Sequence, residues 1–120
     1  MRAGDRRGEQ GAATAELAVA LPSLVLVLAL ALAALDLGIA QVRCVDAART
    51  GARLLARGEP ATPVLHEVRG TAPRGARVDV DLADGRVTVT VTGAVPRLLS
   101  PLGGLVAPSA MAVARLEVVP

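Results

Sequence analysis

The sequence predicts an α+β protein: a long N-terminal helix, with a transmembrane half and an amphipathic half, packed by a small antiparallel β-sheet of about three strands. Three observations predict it. An uncharged run extends from Leu17 to Leu35. After it, small and charged side chains fall on separate helical faces as far as Arg57. Residues 77–92, "RVDVDLADGRVTVTVT", alternate apolar and polar side chains on both sides of an Asp-Gly pair. The division expected is residues 1–11, a helix over residues 12–58 with its span at 17–35, and a small β-containing domain over residues 59–120.

In chain order, "MRAGDRRGEQG" is polar, rich in Arg and Gly, and too short to hold structure without a partner. The run Leu17 to Leu35 would rise roughly 28 Å as a helix, close to the hydrocarbon thickness of a bilayer. Pro22 sits inside it, a defect that membrane helices absorb more readily than soluble ones. After Asp36 no breaker appears before Gly58 and Pro60, so the helix is expected to continue to about Arg57 with Gly58 at its C-terminal cap. In this half Arg43, Asp46, Thr50, Arg53 and Arg57 share one face, and Cys44, Ala48, Gly51 and Leu55 share another. The second set is a packing stripe of mostly small residues, open either to another helix or sheet or to the domain's own core.

Pro63 to Arg69 can form a short helix, and Gly70 to Gly75 a turn. Asp84-Gly85 is the dipeptide a two-residue hairpin turn prefers, and it pairs Leu82 with Val87, Val80 with Val89 and Val78 with Val91. All six apolar side chains then share one face. A two-stranded hairpin needs further support, and the alternation in Ala110 to Val119 offers a third strand, after a Pro/Gly loop from Pro96 to Pro108.

Composition narrows the function classes. All 13 basic residues are Arg, balanced by 11 acids, and there is no Phe, Tyr or Trp on which bases could stack. Nucleic-acid binding is not expected, and the core must be built from Val, Leu and Ala. One Cys and one His leave no internal disulfide and no second imidazole for a metal, so neither metal nor cofactor is expected. His66, Cys44, Ser23, Ser100 and Ser109 form no recognisable catalytic set, which argues against an enzyme. Asp79 and Asp81 point the same way from one strand, but Arg77 and Arg86 would compete with a cation there, so a solvated face is the better reading.

One acid stands out. Glu16 opens the apolar run, and a carboxylate at the mouth of a lipid-facing segment needs a counter-charge or water. Cleavage between Gly11 and Ala12 would create an amine one helical turn from Glu16, and a neighbouring copy's amine could serve equally.

Gly11, Glu16 and the run "LAVALPSLVLVLALALAAL" behind a short basic leader resemble type IV prepilins and pseudopilins. More narrowly, residues 8–59 are similar to the TadE-like minor pilins of the tight-adherence (Flp) pilus system. The resemblance implies a pilin-like fold, a class III signal peptide cut by a prepilin peptidase on the cytoplasmic side, and a single-pass membrane protein with an extracytoplasmic C-terminus. It also implies other pilins or pseudopilins, the pilus assembly machinery and membrane lipid as partners, and a part in adhesion. Gly11 and Ala12 carry over as processing residues and Glu16 as the assembly residue. Ala12, where many pilins have an N-methylated Phe, and Leu17, where major Flp pilins tend to have Tyr, point to a minor rather than a major pilin.

Two other readings compete. Arg2, Arg6 and Arg7 followed by "ALALAAL" suit a conventional signal peptide cut near Ala34. A single-pass membrane protein unrelated to pili, holding partners through its small-residue stripe, would share the topology.

Overall fold

The structure, a computed structural model, describes residues 3–118. Arg2 of the basic leader and Val119 of the expected third strand lie outside the described residues. The elements are α1 (Ala3–Ala56), α2 (Ala61–Thr71), β1 (Arg77–Ala83), β2 (Arg86–Thr92), a 3₁₀ turn (Arg97–Leu102), α3 (Gly103–Val106) and β3 (Ser109–Arg115). The class is α+β, a long N-terminal helix packed on a three-stranded antiparallel sheet in the order β1-β2-β3. Two units divide the chain, one ending at Ala34 and the other starting at Leu35.

In the first unit, α1 already runs from Ala3, which corrects the expectation of an unstructured leader. No proline interrupts Ala3 to Gly11, and a helix nucleated over the apolar run extends without a new nucleation cost. Pro22 stays inside the helix and offers no N–H to the Ala18 carbonyl. The next hydroxyl, Ser23 Oγ, donates to the Val19 carbonyl at 2.8 Å. The helix contains an 18-residue window of mean hydropathy 2.6, of which only 6% is buried. These leucines are therefore not a core in this chain. By length and composition α1 is able to cross a membrane.

In the second unit, α1 ends at Ala56, two residues before the expected boundary. Gly58 N donates to Leu55 O at 3.0 Å and Glu59 N to Leu54 O at 3.2 Å, the paired bonds of a Schellman end. α2 is longer than the expected Pro63 to Arg69, because Pro60 can precede a helix and nothing breaks the pattern until Pro73. Val64 and Val68, one turn apart on α2, are buried.

The hairpin register matches the sequence prediction at all three apolar pairs, Leu82 with Val87, Val80 with Val89 and Val78 with Val91. Asp84 has φ 52° and Gly85 φ 69°, the two left-handed residues of a type I′ turn. Beside β2, β3 places Ala114, Ala112 and Ala110 opposite Val87, Val89 and Val91. α1 and α2 lie on this face. Val87, Val89 and Val91 are fully buried and form the core with Cys44, Ala48 and Val68.

The shared face is correct, but its burial is uneven. Val80 is 38% and Leu82 63% exposed, because the helices cover the central strand and leave the turn end of β1 open. The third strand also stops at Arg115 instead of continuing to Val119. Arg115 pairs with Arg86, the first residue of β2, and beyond it Leu116 N reaches only the turn, donating to the Gly85 carbonyl at 2.9 Å. Glu117 N turns instead to the Ala56 carbonyl at 2.8 Å.

Candidate processing and assembly site

Gly11, Ala12 and Glu16 lie on α1 and are exposed. A Cβ built on Gly11 would meet nothing within 4 Å, so the backbone there is open to an approaching protein. The α1 residues one turn from Glu16 on either side are Ala12, Ala13, Val19 and Ala20, none charged. Along α1, therefore, no side chain one turn away supplies Glu16 with a counter-charge. Cleavage after Gly11 requires the helix to open locally, and Gly8 and Gly11 each lower the helical stability of that turn by about 1 kcal/mol relative to Ala.

The packing stripe is placed inside the second unit. Cys44, Ala48, Gly51 and Leu55 are all buried, and Gly51 is the point of closest approach: a Cβ there would lie 2.8 Å from Val68 Cγ2 and 3.4 Å from Val89 Cγ1. Hence the small residues admit α2 and β2 of the same chain. The face carrying Arg43, Asp46, Arg53 and Arg57 is exposed, with Thr50 half-buried. Ala47, Ala52 and Ala56 are buried too, which the sequence reading missed. The rows 44, 48, 52 and 47, 51, 55 together make the wide stripe that a helix needs against a sheet, and alanine's small size hid the second row.

Burial raises the pKa of the Cys44 thiol above its ordinary value, opposed in part by a backbone hydrogen bond from Gly93. Its Sγ lies 3.8 Å from the Pro108 carbonyl. Being buried in apolar surroundings, it is a small core side chain and not a reactive thiol. His66 is exposed beside Glu67, and Asp79 and Asp81 are exposed on β1. Among the described residues no three His, Cys, Asp or Glu side chains come together as a metal-binding group.

Sequence reading also missed Gln41. Its Nε2 donates to the Ser109 carbonyl at 2.8 Å and its Oε1 accepts from Ser109 N at 3.0 Å, fastening the start of β3 to α1. The two residues are 68 positions apart, so no local pattern announces the contact. A groove beside it is lined by Asp36, Leu37, Ala40, Arg43, Arg74 and Val95.

No protein-family model matches the chain, and no solved structure matches it. Over 79 residues it is 49% identical to a protein of Mycobacterium tuberculosis (strain ATCC 25618 / H37Rv) named Apoptosis inhibitor Rv3655c. The match covers 64% of this chain and 61% of that protein, so the chain spans about three fifths of the length of this curated relative.

Proposed function

We propose that the chain is a minor pilin or pseudopilin of a Tad-type type IV pilus, with a structural and not a catalytic role. A prepilin peptidase cuts after Gly11, α1 stays in the membrane through Leu17 to Leu35, and the second unit stands on the extracytoplasmic side. Mature helices then pack side by side, and each Glu16 is neutralised by the Ala12 amine of its own chain or of an adjacent subunit. In the low dielectric between helices that attraction is stronger than in water, and an unpaired Glu16 disfavours insertion into the fibre. The observation that carries the reading is Glu16 at the mouth of an exposed apolar helix, with no charged neighbour one turn away. Intact mass and N-terminal sequencing of the protein from its native membrane test it. A chain beginning at Ala12 is the expected result, and a retained Met1 would overturn it.

A second reading is release of the second unit as a secreted protein. Arg2, Arg6 and Arg7 ahead of the apolar run and the small residues of "ALALAAL" near its end support a conventional signal peptide cut near Ala34. The same measurement separates the two, because this reading requires a chain beginning near Ala34. A Glu16→Ala variant adds an independent check: it impairs pilus assembly under the first reading and leaves secretion intact under the second.

A further inference from the structure

The two edges of the sheet present short, equal rows of open backbone groups. Gly93 N donates to the Pro108 carbonyl at 2.7 Å and Leu116 N to the Gly85 carbonyl at 2.9 Å, which fixes the alternation of the ladder between β2 and β3. Ala110, Ala112 and Ala114 therefore bond β2, and Ser109, Met111, Val113 and Arg115 turn their N–H and C=O groups outward. At the other edge the two-residue turn makes Ala83 and Arg86 a hydrogen-bonded pair, so Val78, Val80 and Leu82 face outward from β1.

The outward row of β3 is stopped at both ends by α1. The Gln41 amide occupies Ser109 as a neighbouring strand would, and the Ala56 carbonyl takes Glu117 N. Among the described residues, the outward groups of Met111, Val113 and Arg115 have no such partner, nor do those of Val78, Val80 and Leu82. Edge strands are commonly guarded by a charge or a proline, and β3 has neither between Ser109 and Arg115.

One antiparallel register engages all six open positions: Met111, Val113 and Arg115 against Leu82, Val80 and Val78 of a second copy. On one face it sets Met111 and Val113, 68% and 57% exposed, beside the Leu82 and Val80 that the helices leave open. On the other face it carries the second copy's Asp81 and Asp79 across from Ala112 and Ala114. Those alanines line a groove with Arg49 and Arg53 of α1, in which Glu117 is the single carboxylate. Apolar therefore meets apolar and acid meets arginine. Joining two copies through β3 alone would instead bring Arg49 and Arg53 of each against the same arginines of the other.

We propose that β1 of a second copy adds as a fourth strand to β3, with Asp79 and Asp81 paired to Arg49 and Arg53. The added copy is turned over in this arrangement, so its helices lie on the opposite face of the joined sheet. The contact is thus distinct from side-by-side packing of α1, and it uses only residues of the second unit. Because β1 and β3 are opposite edges, it is heterologous and repeats from copy to copy without closing.

Disulfide trapping tests it, with Cys44 buried and out of reach. Met111→Cys and Leu82→Cys, each in the full chain in detergent and one carrying a size tag, are oxidised separately and mixed. A linked heterodimer in the mixture, absent from either variant alone, is the expected result. Adding Asp79→Arg and Asp81→Arg to the Leu82→Cys chain should abolish the link, and adding Arg49→Asp and Arg53→Asp to the Met111→Cys chain should then restore it. No link in the mixture, or Met111→Cys linking to itself as readily, overturns the contact. A yield indifferent to charge reversal overturns it as well. None of these outcomes touches the processing reading, which is decided at Gly11.

Discussion

Gly51→Ala sets two known effects against each other on one atom. In an open helix, replacing Gly by Ala stabilises by about 1 kcal/mol. Here the new methyl would stand 2.8 Å from Val68 Cγ2 and 3.4 Å from Val89 Cγ1, and both valines are fully buried. Valine is stiff about its first side-chain torsion, so neither methyl swings away cheaply, and such overpacking costs about 1–3 kcal/mol. The expected net is a destabilisation of about 1 kcal/mol, or roughly 4–8 °C in melting temperature for a unit of this size. Val68→Ala alone costs about 2 kcal/mol through lost burial and the void it leaves. In the double variant the methyl introduced by Gly51→Ala enters the space that Val68 Cγ2 vacated. The two changes should then sum to at least about 1 kcal/mol less than their separate costs. Thermal unfolding of the full chain in detergent, followed by far-UV circular dichroism, reads all four corners of the cycle. A Gly51→Ala protein more stable than wild type, with costs additive within about 0.5 kcal/mol, would refute the packing argument.

Three further predictions follow from local geometry. Gly85→Ala puts a Cβ at φ 69° in otherwise open space, so its cost is backbone strain alone, about 1–2 kcal/mol, readable in the same melts. Gln41→Ala leaves both Ser109 backbone groups without their side-chain partner and should cost about 0.5–1.5 kcal/mol, with faster amide exchange at Ser109 than in wild type. For Cys44, the folded thiol has a pKa above the ordinary 9.0, so the unfolded chain loses its proton first as pH rises. The folded state then holds more protons, so the stability is fully present below 9.0 and falls as pH climbs from 9.0 through the higher folded value. With no Lys or Tyr in the chain, Cys44 is the sole side chain that titrates between His and Arg, and Cys44→Ala should flatten the alkaline slope of melting temperature. An unchanged slope would show that the thiol is not the cause.

How much was legible in advance differs from element to element. The hairpin was readable to the residue because two local rules agreed: a two-residue Asp-Gly turn permits one register, and a period of two puts Val78, Val80, Leu82 and their partners on one face. The core stripe of α1 was readable from helical spacing, though only in part, because alanine signals burial weakly and Ala47, Ala52 and Ala56 look neutral in a local window. At the candidate site, Glu16 was legible as a single charge at the edge of an uncharged run. Gln41 was not, since its partner lies on another element far along the chain.

Taken alone, the sequence determined the local geometry: one helix from the apolar run into the amphipathic half, one hairpin with its turn, and which side chains share each face. These follow from backbone periodicity and turn conformation, which act over a few residues. Tertiary structure decided what covers each face. It buried Val87, Val89 and Val91 under the helices while leaving Leu82 in the open, it ended β3 where β2 gives way to the turn, and it fastened the start of β3 to α1 through Gln41. The physical reason is that burial and hydrogen-bond satisfaction depend on which elements meet in space, and contacts such as Gln41 with Ser109 or Ala56 with Glu117 have no counterpart in any short window of sequence.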